Sequence, residues 1–186
     1  IRFGDDEYTD REQLSVDRFY ELLASSDTLP ETAAPSPGRF AESFQRHLDA
    51  GATAIVCINI SAALSATMQS AITAADSMDA DIRVVDSTSI TVGLGSIVIA
   101  AAEAAKNGAS ADEVVAIAES MSARTHVFGA LDTLENLQKG GRIGGAQALL
   151  GSMLSIKPLI DISTGEVQEA GKQRTRKTVS YTHLRA

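Results

Sequence analysis

The sequence has 186 residues, 44% hydrophobic and 22% charged, a balance that allows a buried core and excludes a globally disordered chain. Aromatic residues make up only 4% and Trp is absent, so the core has to be built from Ala, Ile, Leu and Val. A net charge of −8 argues against nucleic acid and anionic membrane surfaces as partners, because both need clustered Lys and Arg.

Ile1-Arg-Phe3 reads as the middle of a strand. The first helix is expected from about Ser15 to Ala24, with Val16, Phe19, Tyr20 and Leu23 on one apolar face. Ser25 to Gly38 holds three of the four prolines and reads as a loop, closed by Ser36 and Pro37 as N-cap and first residue of the next helix. That helix spaces Phe40, Phe44 and Leu48 four apart and stops at Gly51.

Ala54 to Ile60 is apolar and β-branched except at Asn59, which indicates a strand covered on both faces. Cys57 lies inside it; a buried strand residue is the better reading than a nucleophile, and a single thiol fits a reducing cytoplasm. The turn Ser61-Ala-Ala-Leu-Ser65 leads into a helix through Met78, and Ile82 to Val85 is a second short strand ending in Asp86-Ser-Thr-Ser89. The Ala-rich segment that follows ends at Asn107-Gly108. Its most apolar part, Ile90 to Ala105, carries Thr91, Gly93, Gly95, Ser96 and Glu103. It falls short of the roughly 20 apolar residues of a membrane span, so a buried helix is expected rather than an integral membrane protein.

Ser110-Ala-Asp-Glu113 is a capping box opening a helix to about Ala123. Val127 to Leu131 is a third strand, with a short helix from Asp132 to Lys139. This alternation predicts parallel βαβ units. From Gly140 the texture changes: Gly140-Gly-Arg-Ile-Gly-Gly145 is a basic turn, and Lys157 to Ile162 with Glu166 to Ala170 forms a hairpin around Ser163-Thr-Gly165. A domain boundary is placed near 140–155.

In open parallel sheets ligands sit beyond the carboxyl ends of the strands. Three hydroxyl-rich turns qualify: Thr32 to Ser36, Ser61 to Thr67, and Asp86 to Thr91. Backbone N–H groups at a helix start, with Ser or Thr hydroxyls, suit a carboxylate or phosphate; the same residues also serve as ordinary caps. Other chemistries lack support. Gly93-Leu-Gly95 is followed by Val98 where a dinucleotide fingerprint needs a third glycine, and no phosphate-loop or G-x-S-x-G pattern occurs. His47, His126 and His183 are scattered without metal-ligand spacing, so no metal is expected.

Five blocks resemble the DegV family of bacterial fatty-acid-binding proteins in order and spacing. They are Thr32-Ala-Ala-Pro-Ser-Pro-Gly38, Ile60-Ser-Ala-Ala-Leu-Ser-Ala-Thr-Met-Gln-Ser-Ala71, Val85-Asp-Ser87, Leu134-Glu-Asn-Leu-Gln-Lys-Gly-Gly-Arg-Ile143 and Ile156-Lys-Pro-Leu159. The resemblance implies a two-domain α/β fold with a parallel-rich sheet, flanking helices and a partial second α/β domain. It also implies one long-chain fatty acid held in an interior tunnel as ligand, with no cofactor and no catalysis.

By the same resemblance the lipid carboxylate is gripped by Thr32, Ser36, Ser61, Ser65 and Thr67. Some members present the lipid to a fatty acid kinase, and Arg142 is then a contact for that partner. Departures fall beside the site: Ala33, Ala34, Ala62, Ala66 and Met68 stand where the family carries Ser, Gln, Ser, Gly and Tyr. Residues 1–145 are expected to be the head-group domain, incomplete at its start, with 146–178 opening a truncated second domain and 179–186 a cloning or sequencing scar. The alternative is a small-acid phosphotransferase or hydrolase using the same turns, which needs a base such as Asp86 facing Ser61.

Overall fold

Each of the two foremost helix starts is built by a serine, as the local sequence dictates. Ser15 accepts a hydrogen bond from the Arg18 N–H at 3.2 Å, and Ser36 accepts one from Arg39 at 3.4 Å with Pro37 as the first helical residue. The structure is a computed structural model that describes residues 1–150, 156–175 and 177–178. It divides into two units, Ile1–Ala34 and Pro35–Ala186.

In the first unit, β1 (Arg2–Phe3) and β2 (Asp6–Glu7) pair antiparallel around Gly4, whose φ of +58° suits the turn. Helix α1 (Val16–Ser25) lies where the apolar spacing places it, but none of its side chains is buried and Tyr20 is 62% exposed. Phe19 instead packs edge-on against Phe3, with ring centroids 5.7 Å apart. Arg2 and Glu31 exchange two backbone hydrogen bonds and an ion pair, which ties the end of the loop to the hairpin.

The second unit begins with α2 (Pro37–Asp49) and continues through β3 (Ile55–Asn59), α3 (Thr67–Asp76), β4 (Ile82–Asp86), α4 (Thr91–Lys106) and α5 (Ala111–Ser122). Strands β3 and β4 pair in parallel from Ile55↔Ile82 to Asn59↔Asp86. Their alternate residues feed two cores, as the unbroken apolar run requires. Ile55, Cys57, Ile82 and Val84 pack with Phe44, Ala71 and Ala74; Val56, Ile58 and Val85 pack with Ile97, Ala101, Val114 and Ala118. The capping box at Ser110 and Glu113 is formed in both directions, and Gly108 takes a φ of +89° after α4. Helix α4 is only partly the buried helix expected: Ile97 is fully buried, whereas Val92 and Ile99 are 81% and 60% exposed. Among the described residues no helix is long and apolar enough to cross a membrane.

Beyond α5 the expectation of further parallel units is corrected. Strand β5 (Phe128–Ala130) pairs antiparallel with β6 (Lys157–Asp161), which pairs antiparallel with β7 (Gln168–Gln173). The reason is visible in the strand itself. Phe128 and Ala130 face water while Gly129 faces inward, and Ile160 comes close enough that a Cβ at 129 would lie 3.0 Å from its Cγ1. A strand wetted on one face suits an antiparallel sheet rather than a doubly covered parallel one.

Helix α6 (Glu135–Lys139) starts later than Asp132 because the Thr133 hydroxyl accepts the Glu135 N–H at 3.1 Å and ends the preceding turn. The hairpin's second strand starts at Gln168 rather than Glu166. Val167 is drawn into the core, and its carbonyl accepts from Gly145 at the start of the 3₁₀ helix Gly144–Leu149. The third core gathers Leu134, Ala146, Leu149, Ile160, Ile162 and Val167, and it receives Leu64 and Ile90 from two of the hydroxyl-rich turns. Those two side chains anchor the turns described next. The segment 179–186, His183 included, and part of the 140–155 boundary lie outside the described residues.

Candidate functional site

Both parallel strands end in polar residues that enter turns, and the turns are stitched to each other. Asn59 is 5% exposed and donates through Nδ2 to the Cys57 carbonyl at 3.2 Å. Its carbonyl accepts the Ser87 N–H at 3.1 Å, and the Ser89 carbonyl accepts the Ser61 N–H at 3.0 Å. The Asp86 carboxylate collects the Ala62 N–H at 3.3 Å and the Thr88 N–H at 2.8 Å. A carboxylate at that position therefore holds backbone and does not reach a hydroxyl, so it is not placed as a base for Ser61.

Ser61 is 1% exposed, and its hydroxyl donates to the Gly165 carbonyl at 2.6 Å. Ser87 is fully buried and donates to the Ser89 carbonyl at 3.2 Å, while the Thr88 hydroxyl donates to the Ser87 carbonyl at 2.8 Å. The Asp86–Thr91 turn thus uses these hydroxyls internally, and it holds Thr88 and Thr91 at φ values of +46° and +50°. Left-handed backbone is costly for a β-branched residue, and at Thr88 it is held by the N–H bond to Asp86 and the hydroxyl bond to the Ser87 carbonyl. Ser89 is 2% exposed, and among the described residues its hydroxyl has no partner.

Ser65 and Thr67 are arranged differently. Their hydroxyls lie 2.8 Å apart, and the Ser65 hydroxyl also accepts the Thr67 N–H at 3.3 Å. They stand at the first turn of α3, whose N-cap residue, Ala66, has no side chain that could cap it. Either hydroxyl can turn its proton toward an incoming acceptor. Helix-start N–H groups add a favourable field for an anion.

Arg142 is brought to the same turn. Its Nε donates to the Leu64 carbonyl at 3.3 Å and its Nη1 to the Gly140 carbonyl at 2.6 Å, bridging two segments 78 residues apart. Ser36 is the N-cap of α2. Thr32, in the first unit, is exposed and lines a depression of about 260 Å³ with Ile1, Arg2, Glu7, Glu31 and Ala33.

Sequence reasoning missed Gly165 and Leu64, whose backbone carbonyls carry no side-chain signature; Asn59 was visible as the one polar residue in its strand. A second depression, about 400 Å³, lies over Val56, Ile58, Val98 and Ala101 with Thr53 and Ser110 at its wall; it contains none of the predicted site residues. Cys57 is half-buried, and burial pushes its thiol up from the usual range against the opposing hydrogen bond from Asn59, so it stays protonated as a strand residue. Among the described residues no three His, Cys, Asp or Glu side chains gather as metal ligands.

These features define an α/β protein whose polar turns meet at the carboxyl ends of a parallel strand pair. The chain belongs to the DegV family: the family model described as "Uncharacterised protein, DegV family" matches residues 1–183. A DegV domain-containing protein of Streptomyces coelicolor is 43% identical over 144 residues, which is 77% of this chain and 51% of that protein. Among solved structures, a Thermus thermophilus DegV family protein described for its fatty acid binding superposes with a TM-score of 0.87 at 35% identity, over 95% of this chain and 63% of that one. A stearic acid-binding protein from Eubacterium ventriosum superposes with a TM-score of 0.85 at 27% identity, over 96% of this chain and 62% of that one. The chain thus spans between half and two thirds of the length of these relatives.

Proposed function

We propose that this chain carries the carboxylate-gripping part of a long-chain fatty-acid-binding protein and performs no catalysis. The observation that carries this reading is the Ser65–Thr67 hydroxyl pair at the start of α3. It agrees with the fatty acid binding described for the Thermus and Eubacterium relatives. Each buried methylene is worth about 0.8 kcal/mol, so an acyl tail supplies most of the affinity and the head group needs only a few donors. A site with hydroxyls and no catalytic base is what such a ligand requires.

Within the predicted set the hydroxyls have unequal freedom. Ser65 and Thr67 exchange a hydrogen bond and can redirect it. Ser61 has one proton, committed to Gly165, so it serves the head group only as the tie that holds the turn. Thr32 and Ser36 are proposed in the same carboxylate-binding role on the strength of the family's loop alone. Residues 1–145 are proposed as the head-group domain and 146–178 as the opening of a second one. A reducing cytoplasm is the proposed setting, and Arg142 the contact for a fatty acid kinase that receives the lipid.

The test is direct. Denaturing extraction of the purified protein followed by mass spectrometry should release a fatty acid, and added stearate should raise the melting temperature of delipidated protein. Finding neither would end this reading for the chain.

A further inference from the structure

The peptide joining Leu64 to Ser65 is held at both ends, its carbonyl by a partner 78 residues away and its N–H by the turn itself. Its carbonyl accepts from Arg142 Nε at 3.3 Å, and its N–H donates to the Ser61 carbonyl at 3.2 Å. A peptide unit is planar, so fixing its C=O and its N–H fixes its orientation, and with it the direction in which Ser65 leaves the turn. Ser65 in turn accepts the Thr67 N–H and shares a proton with the Thr67 hydroxyl. The guanidinium reaches Leu64 from a turn shaped for it. Gly141 has a φ of +71°, the Arg142 N–H donates to the Leu137 carbonyl at 2.9 Å, and Nη1 is satisfied by Gly140. Leu64 itself is seated in the third core, so the carbonyl cannot swing far without moving a packed side chain.

From this geometry we infer that Arg142 is a positioning residue for the head-group hydroxyls: it sets the Leu64–Ser65 peptide and thereby aims Ser65 and Thr67 at the bound carboxylate. This rests on the fatty-acid reading for the ligand, but not for the tie. The role depends on the planar, two-donor shape of the guanidinium rather than on its charge, because both acceptors are neutral backbone carbonyls. It also makes the exposed Arg142 side chain a route by which contact at the Gly140–Ile143 turn reaches the head group.

Two measurements on the full chain test it. The first needs no ligand: in Arg142→Gln, amide hydrogen exchange at Ser65 should speed up roughly three- to tenfold, the range of one lost hydrogen bond, while Val84 and Val85 in β4 stay unchanged. Unchanged exchange at Ser65 would overturn the inference. The second is stearate affinity in a double-mutant cycle. Arg142→Gln and Arg142→Lys should each weaken binding roughly three- to tenfold, and the loss should vanish in a Ser65→Ala background. Full rescue by Lys would mean that charge alone matters, and a loss that persists without the Ser65 hydroxyl would mean that Arg142 acts elsewhere; either result overturns the positioning role. If wild-type chain binds no stearate but Ser65 exchange still responds to Arg142→Gln, the fatty-acid reading fails and the positioning tie stands.

Discussion

The hydroxyl of Ser61 donates to the carbonyl of Gly165 at 2.6 Å, joining the turn after β3 to the tip of the β6–β7 hairpin across 104 residues of sequence. Gly165 has a φ of +86°, and a Cβ there would lie 2.9 Å from the Ser61 hydroxyl and 3.4 Å from Thr88 Cβ. Ser61→Ala should therefore cost about 1–3 kcal/mol of stability by leaving a buried carbonyl unpaired. Gly165→Ala should also destabilise, through backbone strain and the same contact. Urea denaturation of both single variants and the double variant should show the two losses to be less than additive, since each breaks the same contact.

A pair of glycines in α4 offers an internal control. A methyl at Gly93 would collide with Val127 Cγ2 and Ser89 Oγ, whereas one at Gly95 meets nothing within 4 Å. Gly93→Ala should destabilise by about 1–3 kcal/mol through overpacking. Gly95→Ala should stabilise by roughly 0.5–1 kcal/mol through helix propensity. Opposite shifts in the urea midpoint are the expected outcome.

The two isoleucines of the same helix should also separate. Ile97 is fully buried between α4 and α5, and Ile97→Ala should cost about 2–5 kcal/mol, whereas Ile99, 60% exposed, should change stability by roughly 0.5 kcal/mol or less on the same substitution. Thermal unfolding of the two variants measures the difference.

At the start of α5 the Glu113 carboxylate accepts the Ser110 N–H at 2.7 Å and the Ser110 hydroxyl at 2.9 Å. These bonds, the backbone one foremost, hold its carboxyl below the usual carboxylate range. Because the folded value is the lower one, the cap is complete above the unfolded carboxylate range and is lost as pH falls through the folded value. In an NMR titration the Ser110 amide and the Glu113 carboxyl should move together, with a midpoint below that of an unperturbed Glu. Glu113→Gln should abolish the titration of the Ser110 amide.

For the proposed ligand, Ser65→Ala and Thr67→Val should each weaken fatty acid binding by about 1–3 kcal/mol, and Thr32→Val should do the same if the first loop takes part. Displacement of a fluorescent fatty acid would measure all three. Unchanged affinity in both Ser65→Ala and Thr67→Val would remove the hydroxyl pair from the site.

The fold was legible wherever a local rule decides it. Ser36-Pro37 and Ser110 to Glu113 announce helix starts through capping chemistry. The unbroken apolar run around Cys57 announces a doubly covered strand, and both were found in place. Val127 to Leu131 announced a strand but not its partners, because alternation within three to five residues does not say which sheet receives them. The site was legible as three hydroxyl-rich turns. What could not be read was which hydroxyls are committed: Ser61, Ser87 and Thr88 look no different in sequence from Ser65 and Thr67.

What the sequence determined by itself is the local grammar: caps, strand ends, the glycine turns and the family to which the chain belongs. Those depend on interactions between near neighbours and on motif spacing, which a linear chain displays. Tertiary structure alone decided that Ser61 is tied to Gly165, that Arg142 reaches the carbonyl before Ser65, and that β5 joins the antiparallel sheet. In each of those cases the deciding partner is distant in sequence, and in the first two it is a backbone carbonyl. Every residue carries one, so no side chain marks the place.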